Sequence, residues 1–302
     1  MILAAVAAVA LAAEPATAVT IDPSHRLIEG VASDGHTIWV SSLIDRQILQ
    51  CRDLCTAIAT LPEGLHPFAM AWDAKRRKLW VAADCPPNVP FIKACERGAL
   101  IALDARGRIR TRISPPIGSF HPGDVSAGGG GQVFVSDSQS GAVYRLLPSG
   151  KALMAIVLPG VGKSGQGSVL DAAGNGLIVS DYSQGIAAID LASGKRTVLP
   201  RLVSKPLLRG VDGLARCGDT YFGIYNGSSP GRILAIKVSP KGADYADLID
   251  GLRLPDPTQI AFDGKRLLVV SDAGWELAAK DAPRANGTHI LAIPLGRDCK
   301  PL

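Results

Sequence analysis

Three carboxylates stand in short, glycine-bearing phrases: Glu29 in LIEGVA, Asp124 in HPGDVSA and Asp212 in GVDGLA. They lie far apart in the chain, so only a tertiary ring can bring them together. Carboxylates crowded on one axis repel each other and are stable only with a cation, a proton or water between them. Hard oxygen donors from separate elements suit calcium, which takes about 6–8 oxygens. A divalent metal, calcium first, is therefore the expected cofactor. Glu29, Asp124 and Asp212 are its candidate ligands, with Asn226 of YNGSSPG as the fourth. His66 and His121 each precede a proline. A histidine beside a channel mouth can act as a base, although beside a turn it is more often a plain hydrogen-bonding residue. His121 is the histidine candidate for catalysis. His66, Gln166, Tyr182 and Trp275 are candidate substrate contacts.

The elements that must hold these groups are repeats. VFVSDSQSGAVYRL at 133–146 and LIVSDYSQGIAAID at 177–190 share one shape: an apolar run, a polar break and a second apolar run. The centres of the first runs are Val40, Val81, Val135, Val179, Ile224 and Val270, spaced by 41, 54, 44, 45 and 46 residues. A period of about 45 matches a four-stranded propeller blade. A strand of small residues precedes each run, as suits the crowded inner edge of a blade. The fold class is therefore all-β: a six-bladed β-propeller with four-stranded blades. An extended β-solenoid and a seven-bladed ring are the alternatives, but six copies already consume residues 28 to 295. The sixth copy lacks a fourth strand. VTID at 19–22 is expected to supply it and close the ring, since an open ring would leave unpaired edges.

The ring supplies a map. Inner strands start, and second strands end, on one face, called here the upper face. Glu29 and Asp212 occupy equivalent upper positions in blades 1 and 5, and Asp124 lies one place further along in blade 3. Two long upper loops, 84–98 and 272–287, belong to the blades flanking blade 1 and are expected to wall a pocket over Glu29. Asp84, Asp137, Asp181 and Asp272 recur at second-strand ends, where Asp side chains usually bond turn amides. Asn226 is the exception, because its phrase departs from the repeat. Six cysteines allow 15 pairings. The map proposes Cys51 with Cys55 across a lower turn, Cys85 with Cys95 across an upper loop, and Cys217 with Cys299 on adjacent blades.

Glycine (33) and proline (21) are plentiful across the 302 residues, which favours short strands and turns over long helices. The net charge is +5 and scattered apart from KRRK at 75–78, so nucleic acid is not an expected partner. Residues 1–18 read as a signal peptide, an apolar stretch followed by Ala-x-Ala triplets, although no Lys or Arg follows Met1. A buried N-terminal helix is the alternative. No other segment is long and apolar enough to cross a membrane. Residues 19–302 are expected to form one domain, monomeric and exported to the periplasm or the extracellular space, where cysteines pair.

With six blades, LIEGVA opening blade 1 and GVDGLA opening blade 5, residues from about 20 to 295 resemble the gluconolactonase/regucalcin family, itself distantly related to paraoxonases. The resemblance implies that Glu29 and Asp212 bind a divalent metal and that Asp212 takes part in opening or closing a lactone ring. Asn residues of that family are replaced by Gly123-Asp124 in blade 3 and by Gln166-Gly167-Ser168 in blade 4. The implied activity is metal-assisted hydrolysis of a lactone or related small ester. Asp212 or His121 would deprotonate a water, and the ligand would be a lactone or sugar-like molecule. The alternative is a non-catalytic exported propeller that binds a small ligand or an envelope protein.

Overall fold

The computed structural model describes residues 15–86, 89–93, 95, 97–115, 118–202 and 207–302. It consists of six four-stranded antiparallel sheets arranged as blades around a ring. Blade 1 is Ile28–Ser33, Ile38–Ser42, Gln47–Cys51 and Cys55–Thr60. Blade 2 is His66–Asp73, Lys78–Asp84, Ala99–Asp104 and Ile109–Ile113. Blade 3 is Pro122–Ala127, Val133–Asp137, Val143–Leu146 and Leu153–Val157. Blade 4 is Gly165–Leu170, Gly176–Asp181, Gly185–Asp190 and Arg196–Val198. Blade 5 is Val211–Cys217, Thr220–Tyr225, Arg232–Ser239 and Gly242–Asp247. Blade 6 is Ile260–Phe262, Arg266–Val270, Thr288–Pro294 and, from the other end of the chain, Ala16–Ile21.

That last strand closes the ring. Ala16 pairs with Ala292 and Ile21 with Thr288, so the closing strand starts three residues before the expected VTID segment. Residues 1–14, most of the expected leader, lie outside the described residues, and Ala16 to Ala18 belong to the closing strand. No helix among the described residues is long and apolar enough to cross a membrane.

All six repeat centres are buried in second strands. Each second strand is covered on both faces by neighbouring blades, so it reads as a continuous apolar run instead of an alternating one. The serine of the repeated phrase ties blades together. Ser41, Ser136 and Ser180 donate to the carbonyls of Phe68, Gln166 and Asp212 on the next blade's inner strand. The aspartate that follows caps the turn. Asp137 accepts from the amides of Gln139 and Ser140, and Asp181 from those of Ser183 and Gln184. Asp272 instead pairs with Arg284 at 2.7 Å.

Small residues on the inner strands let neighbouring backbones touch. A Cβ on Gly30 would lie 2.2 Å from the Phe68 carbonyl oxygen. Backbone on both sides cannot yield as a flexible side chain would. Gly30→Ala is therefore expected to cost about 3 kcal/mol by overpacking, read as a lowered midpoint in urea unfolding. An unchanged midpoint would show that blades 1 and 2 can separate freely there.

The three disulfides join Cys51 to Cys55, Cys85 to Cys95 and Cys217 to Cys299, the pairing the map proposes. They point to an oxidising environment.

Candidate functional site

The upper mouth gathers groups from blades 1, 5 and 6. Glu29 Oε2 accepts a 2.7 Å hydrogen bond from the indole Nε1–H of Trp275. Trp275 opens the only helix among the described residues, Trp275–Ala279. The backbone amides of Gly274 and Trp275 both donate to Asp256 Oδ2, at 2.9 and 2.7 Å. Asp256 thus sets Trp275, and Trp275 sets Glu29. Across the mouth, Asn226 Nδ2 donates to Asp212 Oδ2 at 2.9 Å and to the Pro257 carbonyl at 3.1 Å. Each of the two ring carboxylates therefore has one oxygen fixed by a neutral donor.

Electrostatics follow from this crowding. Burial, and then the charge of Asp212, push Glu29 well above the usual carboxylate range, against the opposing bond from Trp275. Burial pushes Asp212 up to about 7, with Asp256 adding to the rise and Asn226 opposing it. At neutral pH the pair cannot hold two negative charges cheaply and keeps protons in the site. Tyr182 lies close enough to Asp212 to be affected. Burial first, then Asp212 and Tyr225, raise its hydroxyl, which stays a neutral donor.

The long loops pack over this region. Val89 and Ile92 of one, and Ala273, Trp275 and Ala278 of the other, share a hydrophobic cluster with Leu27, Ile28 and Phe68 of blades 1 and 2. The Trp275 ring lies 6.3 Å from that of Phe68.

The other candidates sit elsewhere. His121 Nδ1 lies 3.2 Å from both carboxylate oxygens of Asp84, in a buried pair between blades 3 and 2. Burial raises Asp84 above its usual range. His66 donates from Nδ1 to the Leu43 carbonyl at 2.8 Å, and burial lowers its pKa. Gln166 makes a 3.4 Å contact from Nε2 to Ser164 Oγ. Asp124 is buried below the mouth, where it accepts from the Ser168 amide and from Gln259 Nε2, both at 2.8 Å. Burial pushes it up to about 7.

Sequence reasoning passed over Asp256. Its signal was available, because Asp256-Pro257-Thr258 occupies the place of His66-Pro67-Phe68 and His121-Pro122-Gly123 in the repeat.

For a cation, the mouth offers the second oxygens of Glu29 and Asp212, together with Asn226 Oδ1, which is buried without a hydrogen-bond partner. Carboxylate and amide oxygens of this kind are the donor type a hard cation takes. Blades 3 and 4 contribute no side chain at the equivalent positions, Gly123 and Gly167. Asp84, Cys85 and Cys95 come together within 4.8 Å. Their two sulfurs are joined in a disulfide, which removes the thiolates a metal needs.

No protein-family model and no curated protein sequence matches the chain. Solved structures do. A gluconolactonase from Xanthomonas campestris, described as important in glucose secondary metabolic pathways, superposes with a TM-score of 0.62 at 16% identity, covering 95% of this chain and 99% of that one. A putative gluconolactonase gives 0.59 at 15% identity, covering 92% and 90%. Virginiamycin B lyase from Staphylococcus aureus gives 0.56 at 15% identity, covering 91% and 98%. At such identities the likeness speaks for shape: this chain is a six-bladed β-propeller with the fold of gluconolactonases and of virginiamycin B lyase.

Proposed function

We infer that the chain hydrolyses a lactone or a related small ester at the upper mouth. The observation that carries this reading is Asp212: a carboxylate oriented by Asn226, held up to about 7, beside a second carboxylate, Glu29, which burial and the charge of Asp212 also push well up. Two carboxylates crowded in one buried site cannot both ionise cheaply, so one serves as base while the other keeps a proton as acid. Ionised Asp212 takes a proton from water as its oxygen bonds to the ester carbonyl carbon. The carbon–oxygen bond of the ring then breaks, and protonated Glu29 gives its proton to the leaving oxygen. The product is a hydroxy acid, and the two carboxyls exchange protons with solvent to reset. Tyr182 offers a neutral hydroxyl beside Asp212 for orienting the substrate. A divalent cation, calcium first, would be held by Glu29, Asp212 and Asn226 Oδ1; it would displace the Glu29 proton and supply Lewis-acid polarisation of the carbonyl in its place. His121 is the second candidate base.

The test is turnover of a panel of γ- and δ-lactones and small esters, with and without added calcium or manganese, as a function of pH. Hydrolysis that rises through about pH 7 without metal, following Asp212, and whose inflection moves to lower pH when calcium is added, is the expected result. Metal binding at ionised oxygens displaces protons, which sets the direction of that shift. No turnover of any lactone or ester under either condition overturns the reading. It would leave a ligand-binding propeller, which the bare positions at Gly123 and Gly167 favour.

A further inference from the structure

The channel is interrupted below the carboxylates. Blades 3 and 6 stand opposite each other in a six-membered ring, and Gln259 of blade 6 donates across it to Asp124 Oδ1 of blade 3 at 2.8 Å. Both groups are otherwise engaged, Asp124 Oδ2 with the Ser168 amide and Gln259 Oε1 with the Ile260 amide. Gly213 leaves room for the crossing, since a Cβ there would lie 2.1 Å from Gln259 Oε1. The bond is a floor between two halves of the channel.

Beneath the floor, a cavity of about 390 Å³ opens on the face opposite Glu29. The ends of all six inner strands contribute to its wall. Its volume lies in the range of small-molecule sites, about 300–1,000 Å³. Trp72 lines it and is stacked on Trp39 at 4.9 Å, so it is a rigid apolar surface. Phe262 of blade 6 also lines the cavity. The polar part includes the Ser126 and Ser168 hydroxyls, 2.9 Å apart, the Asp124 carboxyl at the inner end, and Asp171 and Arg216, one charge of each sign. Gln132, also in the wall, has an Oε1 that is buried without a partner. Hydroxyls, an amide and a carboxyl beside fixed aromatic rings recognise a molecule with hydroxyl edges and an apolar face.

We propose that this lower cavity is a second ligand site, separate from the upper carboxylates, for a neutral polyhydroxylated ring of monosaccharide size. The buried carboxyl at its floor disfavours anions. Asp171 and Arg216 give the rest of the wall one charge of each sign, so it favours neither a cation nor an anion. The site stands whether or not the upper mouth hydrolyses esters.

The experiment is ligand-observed NMR titration of the full chain with D-glucose and myo-inositol as neutral probes, and with gluconate and glucosamine as charged comparators. Gly129→Trp places a bulky ring at the cavity wall: Gly129 lines it, and a Cβ there meets nothing within 4 Å, so a side chain can be attached at that point. Thermal unfolding confirms that the variant is folded. Saturable binding of a neutral probe that Gly129→Trp weakens at least about tenfold, and that Glu29→Gln leaves unchanged, is the expected result. Three results overturn the proposal. One is no saturation by either neutral probe up to about 10 mM, beyond the weak end of specific affinity. Another is binding indifferent to Gly129→Trp. The third is tighter binding of either charged comparator.

Discussion

Asp212→Asn is expected to reduce kcat/KM for the hydrolysed lactone by at least about 100-fold, the contribution of a positioned general base. At the same time it should leave the protein as stable at pH 8, or more so. The two effects share one cause. Asp212 is held up to about 7 against an ordinary value of 3.8, because its ionised form is crowded and poorly solvated. Between those values the folded chain keeps a proton that the unfolded chain has lost. The folded state therefore binds more protons, and stability falls as pH rises through the window. Below about 4 both states are protonated and nothing is lost; above about 7 both are ionised and the full penalty applies. Asparagine keeps an acceptor for Asn226 Nδ2 and has no charge to desolvate, so the pH-dependent loss shrinks while the base disappears. Lactone turnover and calorimetric Tm at pH 5 and pH 8 together check this. An inactive variant that is also destabilised at pH 8 would show Asp212 to be a structural carboxylate, ionised and satisfied in the fold.

The fold was legible because a propeller repeats its grammar. Each second strand is covered on both sides, so VFVSD and LIVSD announce themselves as apolar runs. The serine recurs because blades 1, 3 and 4 use the same tie to the next blade, and the aspartate because blades 3 and 4 use the same turn cap. The ring-closing strand was legible for a different reason: the sixth copy was one strand short. Site details were less accessible. That Glu29 and Asp212 share a mouth follows from equivalent repeat positions. The bonds that orient them do not, because Trp275 reaches Glu29 from a loop outside the repeat and Asn226 reaches Asp212 from the one phrase that departs from it. Asp256 acts through two backbone amides, and side-chain chemistry alone gives no sign of that. Asp84 looked like one more turn cap, yet its carboxylate is taken up by His121, an arrangement that depends on how blades 2 and 3 abut. The cross-channel bond from Gln259 to Asp124 joins residues 135 positions apart. It depends on a missing side chain at Gly213, which leaves little trace in a single sequence.

Removing the Cys217–Cys299 bridge by replacing both residues with serine is expected to cost about 4–5 kcal/mol and to lower Tm by about 10 °C. A disulfide acts mainly by restricting the unfolded chain, and the restriction grows with the logarithm of the loop it closes. This bridge closes a separation of 82 residues, whereas Cys51–Cys55 closes 4 and Cys85–Cys95 closes 10. The same relation gives the shortest bridge about 2 kcal/mol. Position adds to the difference. Cys217 ends the inner strand of blade 5, and Cys299 lies in the tail beyond blade 6. Both pack with Ile260, Leu267, Ile293 and Leu295 of blade 6. Blade 6 is built from both ends of the chain and depends on hydrogen bonds between Ala16–Ile21 and Thr288–Pro294 for closure. The bridge holds the C-terminal half of that blade against blade 5, so the N-terminal strand meets a formed edge. Calorimetric scans of Cys217→Ser/Cys299→Ser beside Cys51→Ser/Cys55→Ser measure the comparison directly. Equal losses from the two double variants would mean that local strand ends, and not the long loop, are what the bridges protect. The expected ordering places the covalent constraint where the ring changes from one end of the chain to the other.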